Sequence, residues 1–152
     1  MEKVEMSLCV YGRIEGKTFS EKPLETCLNH YFSGGYRIIK ENSGCAVYEV
    51  SNSESKTIVS FIHEKKHPYN IYDSDIINDE FEYNQLLIFE LDKEDAAMNS
   101  YREIIRFLKH LSQETKSRIL VTSDAHDEIC LLDGRDILWS ANDTLIKEIV
   151  NF

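Results

Sequence analysis

Between residues 98 and 111, Met98, Tyr101, Ile104, Ile105, Leu108 and Leu111 recur at three- and four-residue steps. That spacing puts six apolar groups on one face of an α-helix, and such a stripe gains most of its stability by burial against another element. The acids of Asp92-Lys93-Glu94-Asp95 stand where the first turn would begin, and the helix dipole favours them there. Most of the remaining chain repeats in steps of two. The helix must therefore find its partner in a sheet.

Val4, Met6, Leu8 and Val10 alternate strictly, which predicts a strand over residues 4–11 with Gly12 and Gly16 marking the turn after it. A shorter helix is expected over about residues 21–32. Ser20 can cap it, Pro23 suits its first turn, Leu24, Cys27, Leu28 and Tyr31 share a face, and Ser33-Gly34-Gly35 stops it. Residues 36–40, 45–50 and 56–62 read as strands of an antiparallel meander, separated by turn-rich segments. Residues 68–84 read as a long polar-aromatic connection. Strands are expected again over 85–91, 118–122, 128–132 and 136–139, the last two joined through Asp133-Gly134, a hairpin signal. Residues 143–150 suggest a short amphipathic helix or a docked extension. This pattern predicts one α+β domain spanning residues 1–152, a mainly antiparallel sheet with one long and one shorter helix packed on it.

A chain of 152 residues with 42% hydrophobic side chains can bury a core without disulfide or metal support. Cys9, Cys27, Cys45 and Cys130 form no C-x-x-C pair, and each neighbours apolar residues, so all four are expected as small buried hydrophobes. The N-terminus MEKVEMSLCVYG carries acids and no apolar core, so no signal peptide is expected. The longest apolar run, Leu86-Leu87-Ile88-Phe89, is too short to span a membrane. A cytoplasmic protein follows as the expectation.

The net charge of −10 is unevenly spread: residues 73–95 alone hold −8 of it. A polyanion would be repelled from that segment, which argues against nucleic acid as a ligand and for a basic partner.

His63-Glu64-Lys65-Lys66-His67 spells the H-E-x-x-H zinc motif. In a zinc hydrolase both imidazoles lie one helical turn apart, with His63 and His67 as ligands and the glutamate acting on water. Here the β-branched lead-in is strand-like, and Pro68 pushes His67 away from helical geometry. The alternative reading is a strand running into a charged loop. Asp124, His126, Asp127 and Glu128 in "SDAHDE" could ligate a metal or move a proton, but they join two strands and are turn formers. His110, opposite Tyr101 on its helix, is expected to face water. No nucleophile elbow, P-loop or dinucleotide fingerprint is present. No cofactor and no catalytic residue are expected.

The stretch PYNIYDSDIINDEFEY interleaves Tyr69, Tyr72, Phe81 and Tyr83 with Asp73, Asp75, Asp79, Glu80 and Glu82. Aromatic side chains can anchor a protein interface, and acids steer and orient a cationic partner. These nine residues form the expected partner-binding site. An ordinary solvated loop and a non-enzymatic adaptor domain remain the competing readings.

In its size, acidity, α+β pattern and closing run RILVTSDAHDEICLLDGRDILW, the chain resembles bacterial immunity proteins of contact-dependent growth inhibition and related polymorphic toxin systems. The resemblance implies stoichiometric binding that blocks a cognate toxin domain, frequently a basic nuclease.

Overall fold

The computed structural model describes residues 9–16, 21–31, 35–42, 44–50, 60–65, 70–90, 97–124, 127–141 and 147. Its strands are β1 (Cys9–Glu15), β2 (Tyr36–Glu41), β3 (Cys45–Val50), β4 (Ser60–Glu64), β5 (Asn70–Ser74), β6 (Asp79–Glu90), β7 (Ile119–Ser123), β8 (Asp127–Asp133) and β9 (Asp136–Trp139). Among the described residues, the helices α1 (Glu21–Tyr31) and α2 (Ala97–Thr115) accompany them. All strand pairs are antiparallel, in the order β2-β3-β4-β6-β1-β7-β8-β9, with β5 added alongside β6. The architecture is α+β, mainly sheet with helices.

Both helices contribute to a core on one face of the sheet, its front. Leu24, Cys27 and Leu28 of α1 and Tyr101, Ile104, Ile105, Phe107, Leu108 and Leu111 of α2 meet Val10, Ile14, Tyr48, Phe61, Leu87, Phe89, Ile119 and Val121. The stripe on α2 is thus buried as its spacing predicts, and Phe107 joins it. Fully burying one such side chain stabilises by about 1.5–3 kcal/mol. Phe107 sits among strand aromatics, 6.0 Å from the Phe61 ring and 6.2 Å from Phe89, while Tyr48 stacks on Phe61 at 5.0 Å. Trp139 is half-buried and packs against this core.

Several boundaries differ from the sequence reading. The first strand continues through Gly12 to Glu15 instead of turning at Gly12, because Gly12 lies on the buried front face beneath α2. The second helix runs on to Thr115, where Lys116 takes a left-handed φ of 56° and ends it. Ser112, buried in that last turn, donates to the Ser117 carbonyl at 2.7 Å and accepts from the Gly134 N–H at 3.0 Å. It thereby ties the helix end to the β8–β9 turn. Residues 68–84 are not simply a connection: from Asn70 onward they form β5, a four-residue turn and the first half of β6. Residues 4–8, the acids at 92–95 and nearly all of 143–150 lie outside the described residues.

Candidate partner-binding ribbon

β6 is twelve residues long, and its two halves have different neighbours. Leu86–Phe89 lie between β4 and β1, whereas Asp79–Tyr83 pair with β5. A bulge separates the halves, since Ile14 faces Gln85 but Glu15 faces Tyr83, leaving Asn84 as the extra residue. One extra residue reverses which side chains face which way. Gln85, Leu87 and Phe89 therefore point to the front, while Phe81 and Tyr83 point to the back. There Phe81, Leu120 and Leu131 form a second core with Tyr72, Ile76, Ile77 and Tyr83 packed against it.

Two polar groups hold this ribbon in place. Arg13 rises from β1 with its guanidinium 4.9 Å from the Tyr72 ring, 4.9 Å from Tyr83 and 5.4 Å from Tyr11. It donates to the Tyr83 hydroxyl and, at 3.2 Å, to Thr122 Oγ1. Each cation–π contact of this kind contributes about 0.5–1 kcal/mol, more where water is excluded. Glu128, buried on β8, accepts from the Ser74 hydroxyl at 2.7 Å and from the Asp75 and Ile76 N–H groups at 2.5 and 3.4 Å. Its carboxylate thus caps the turn at residues 75–78, where Asn78 adopts a φ of 54° in place of glycine. Burial, followed by the charges of Glu128 and Asp127, pushes the Tyr72 phenol up and keeps it neutral.

The outer face of the ribbon is different. Ile71 is 51% exposed, and Asp73, Glu80 and Glu82 are exposed around it, with Asp75 and Asp79 exposed at the tip. Asp73 stands directly opposite Glu80, and Ile71 opposite Glu82. Like charges directly opposite each other on a sheet are destabilising. Arg37–Glu49, Lys65–Glu41 and Arg118–Glu15 are ion pairs among the described residues, and none of them involves these acids.

Of the nine residues expected to bind a partner, Asp73, Asp75, Asp79, Glu80 and Glu82 are therefore presented to solvent. Phe81 is buried, Tyr72 and Tyr83 are half-buried beneath the ribbon, and Tyr69 lies outside the described residues. These three aromatics serve as the ribbon's foundation, because the Asn84 bulge turns the side of β6 carrying Phe81 and Tyr83, with Tyr72 paired beside them on β5, onto the sheet. The exposed apolar residue of the ribbon is Ile71, which no pattern in the sequence singles out. Arg13 and the buried setting of Glu128 also had no local signal.

The zinc-type helix is not formed. Ser60–Glu64 is a strand, so neighbouring side chains point to opposite faces, and His63 is buried with Nε2 2.9 Å from Gln85 Oε1. His67 lies outside the described residues, and no group of three potential metal ligands occurs among the described residues. In "SDAHDE", Asp124 accepts the Cys9 N–H at 3.0 Å, His126 is outside the described residues, and Glu128 is committed to the ribbon turn. All four cysteines are free thiols, Cys27 and Cys130 buried and the other two half-buried. Burial, with help from Glu114, pushes the Cys27 thiol up to about 12, so it stays protonated. His110 does not simply face water: it is half-buried, with its ring centroid 5.2 Å from that of His30 on α1.

Fold and ribbon together define an acidic antiparallel α+β domain with a charged two-stranded arm docked on the back of its sheet. No helix among the described residues is long and apolar enough to cross a membrane. Compared with protein-family models, curated proteins and solved structures, the chain has no significant match.

Proposed function

We propose that this protein acts by binding rather than by chemistry, as an immunity protein that occupies a basic toxin domain in the bacterial cytoplasm. The observation that carries the reading is the outer face of the ribbon, where Asp73, Glu80 and Glu82 surround the exposed Ile71 without a neutralising cation among the described residues. A fold that keeps two acids opposite each other gives up some stability, and a cationic partner would restore it. The arm is held by Glu128 and Arg13 before any partner arrives, so little ordering remains to oppose binding. Nucleic acid is disfavoured by the same charge.

The test uses the product of the adjacent gene, which this reading expects to be the toxin, purified as an inactive variant, with binding kinetics measured at two ionic strengths. The triple variant D73N/E80Q/E82Q should associate more slowly, by about tenfold or more at low salt, and lose most of its salt dependence. Ile71→Ala should mainly speed dissociation. Identical rates for the triple variant would remove the ribbon from the interface. Absence of binding by the unmodified protein would end the immunity reading.

A further inference from the structure

Strands β2, β9 and β5 each have an edge with no strand beside it among the described residues. β2 is guarded: its ladder is broken by a bulge between Ile38 and Lys40, and Arg37 and Lys40 lie along it. β9 is only four residues long. β5 is different, pairing with β6 residue for residue from Asn70 to Ser74 without a bulge, with Ile71 exposed as its second residue.

We propose that β5 accepts an extended basic segment of the partner as an added strand, turning the two-stranded ribbon into a three-stranded one. This rests on the reading that the ribbon's outer face meets a cationic protein, and it specifies how. An open edge offers main-chain donors and acceptors to any extended chain, and the side chains decide which chain is accepted.

Charge selects the occupant. A second copy of β5 laid along the first would bring another segment of the same acidity against Asp73, Glu80 and Glu82, which disfavours self-pairing. A strand carrying cations would neutralise them. Side chains on one face of a strand recur every second residue. Those of the added strand that share the outer face would fall beside Ile71 and Asp73. The segment recognised therefore carries an aliphatic residue and a cation two positions apart. The back of the ribbon is already filled by Tyr72, Phe81 and Tyr83 over Leu120 and Leu131, so the intervening positions need only be small or polar.

Two synthetic peptides test this against the full chain by amide-resolved NMR titration. One has the sequence Lys-Thr-Val-Thr-Lys-Thr-Val-Thr-Lys, and the other is the same peptide N-methylated at every residue, with equal charge but no main-chain donors. The first should shift the amides of residues 70–74 and slow their hydrogen exchange. The second should bind about tenfold more weakly or worse, as expected for losing two or more main-chain hydrogen bonds. Asp73→Lys should weaken the first peptide as well.

Equal affinity of the two peptides would overturn strand addition while leaving the cationic-partner reading in place. Shifts centred on β2 or β9 would overturn the choice of edge. No shift anywhere in residues 70–83 with either peptide would overturn both the added strand and the ribbon as a cation-binding surface.

Discussion

Gly12 leaves a side chain very little room. A Cβ built there would lie 3.0 and 3.1 Å from the two Leu108 methyls and 3.5 Å from Ile119 Cγ2, so α2 packs almost directly on the backbone of β1. Gly12→Ala should force the Leu108 methyls to shift by a few tenths of an ångström in a fully buried setting and destabilise the fold by about 1–3 kcal/mol. Leu108→Ala opens a cavity at a fully buried site and should cost about 2–5 kcal/mol. The double variant should cost less than the sum, because the new methyl enters the space the leucine leaves. Urea midpoints of the three variants check this, and strict additivity would mean the two residues do not share that space. The sequence marks Leu108 as core through its helical spacing. It cannot distinguish Gly12 in a strand from a turn glycine, since the reason for the glycine is a helix nearly a hundred residues away.

At the scale of elements, the ribbon depends on contacts that are remote in sequence. Glu128 reaches across more than fifty residues to the turn between β5 and β6. Glu128→Ala should leave the Asp75 and Ile76 amides without their acceptor. Hydrogen bonds to a charged group contribute about 1.5–3 kcal/mol, so exchange of the ribbon amides should accelerate about ten- to a hundredfold. Amides of β1 and β7 should keep their protection, since they belong to ladders the ribbon does not open. Unchanged exchange in the ribbon would show that the second core alone holds it. The strand character of this segment was legible only in part: the sequence reading places Phe81 and Tyr83 in a connection and takes Gln85, Leu87 and Phe89 into a strand. What alternation could not reveal is the bulge at Asn84, which sends the first two of these to one face and the last three to the other.

For the molecule as a whole, the contact between α1 and α2 couples stability to pH. Burial first, then His30 on α1 and Lys109 beside it on α2, lower the pKa of His110 below its ordinary 6.5, while Glu114 one turn along acts in the opposite direction. A histidine with a lowered folded pKa binds more protons when unfolded, so stability rises with pH through that window. The contribution is fully present above pH 6.5 and is lost as pH falls from there through the lower folded value. Thermal midpoints measured from pH 7.5 to 5 should decline less steeply in a His110→Gln variant than in the unmodified protein. Parallel curves would show that the histidine pair has no part in acid sensitivity.

The α+β class, the antiparallel meander of β2 and β3, the β8–β9 hairpin, the apolar face of α2 and the acidity of residues 73–95 were all determined by the sequence alone. Each is a local property: hydrophobic period, turn composition and charge are fixed within about ten residues. Only the tertiary structure decided that Tyr72, Phe81 and Tyr83 are foundation and that Ile71 and the acids are surface. It also decided that His63 lies in a strand beside Gln85, and that Arg13 and Glu128 hold the arm. Those outcomes turn on a one-residue bulge and on partners 22 to 109 residues apart. Local patterning cannot encode them, because strand register and cross-sheet contacts are set only when the whole sheet closes.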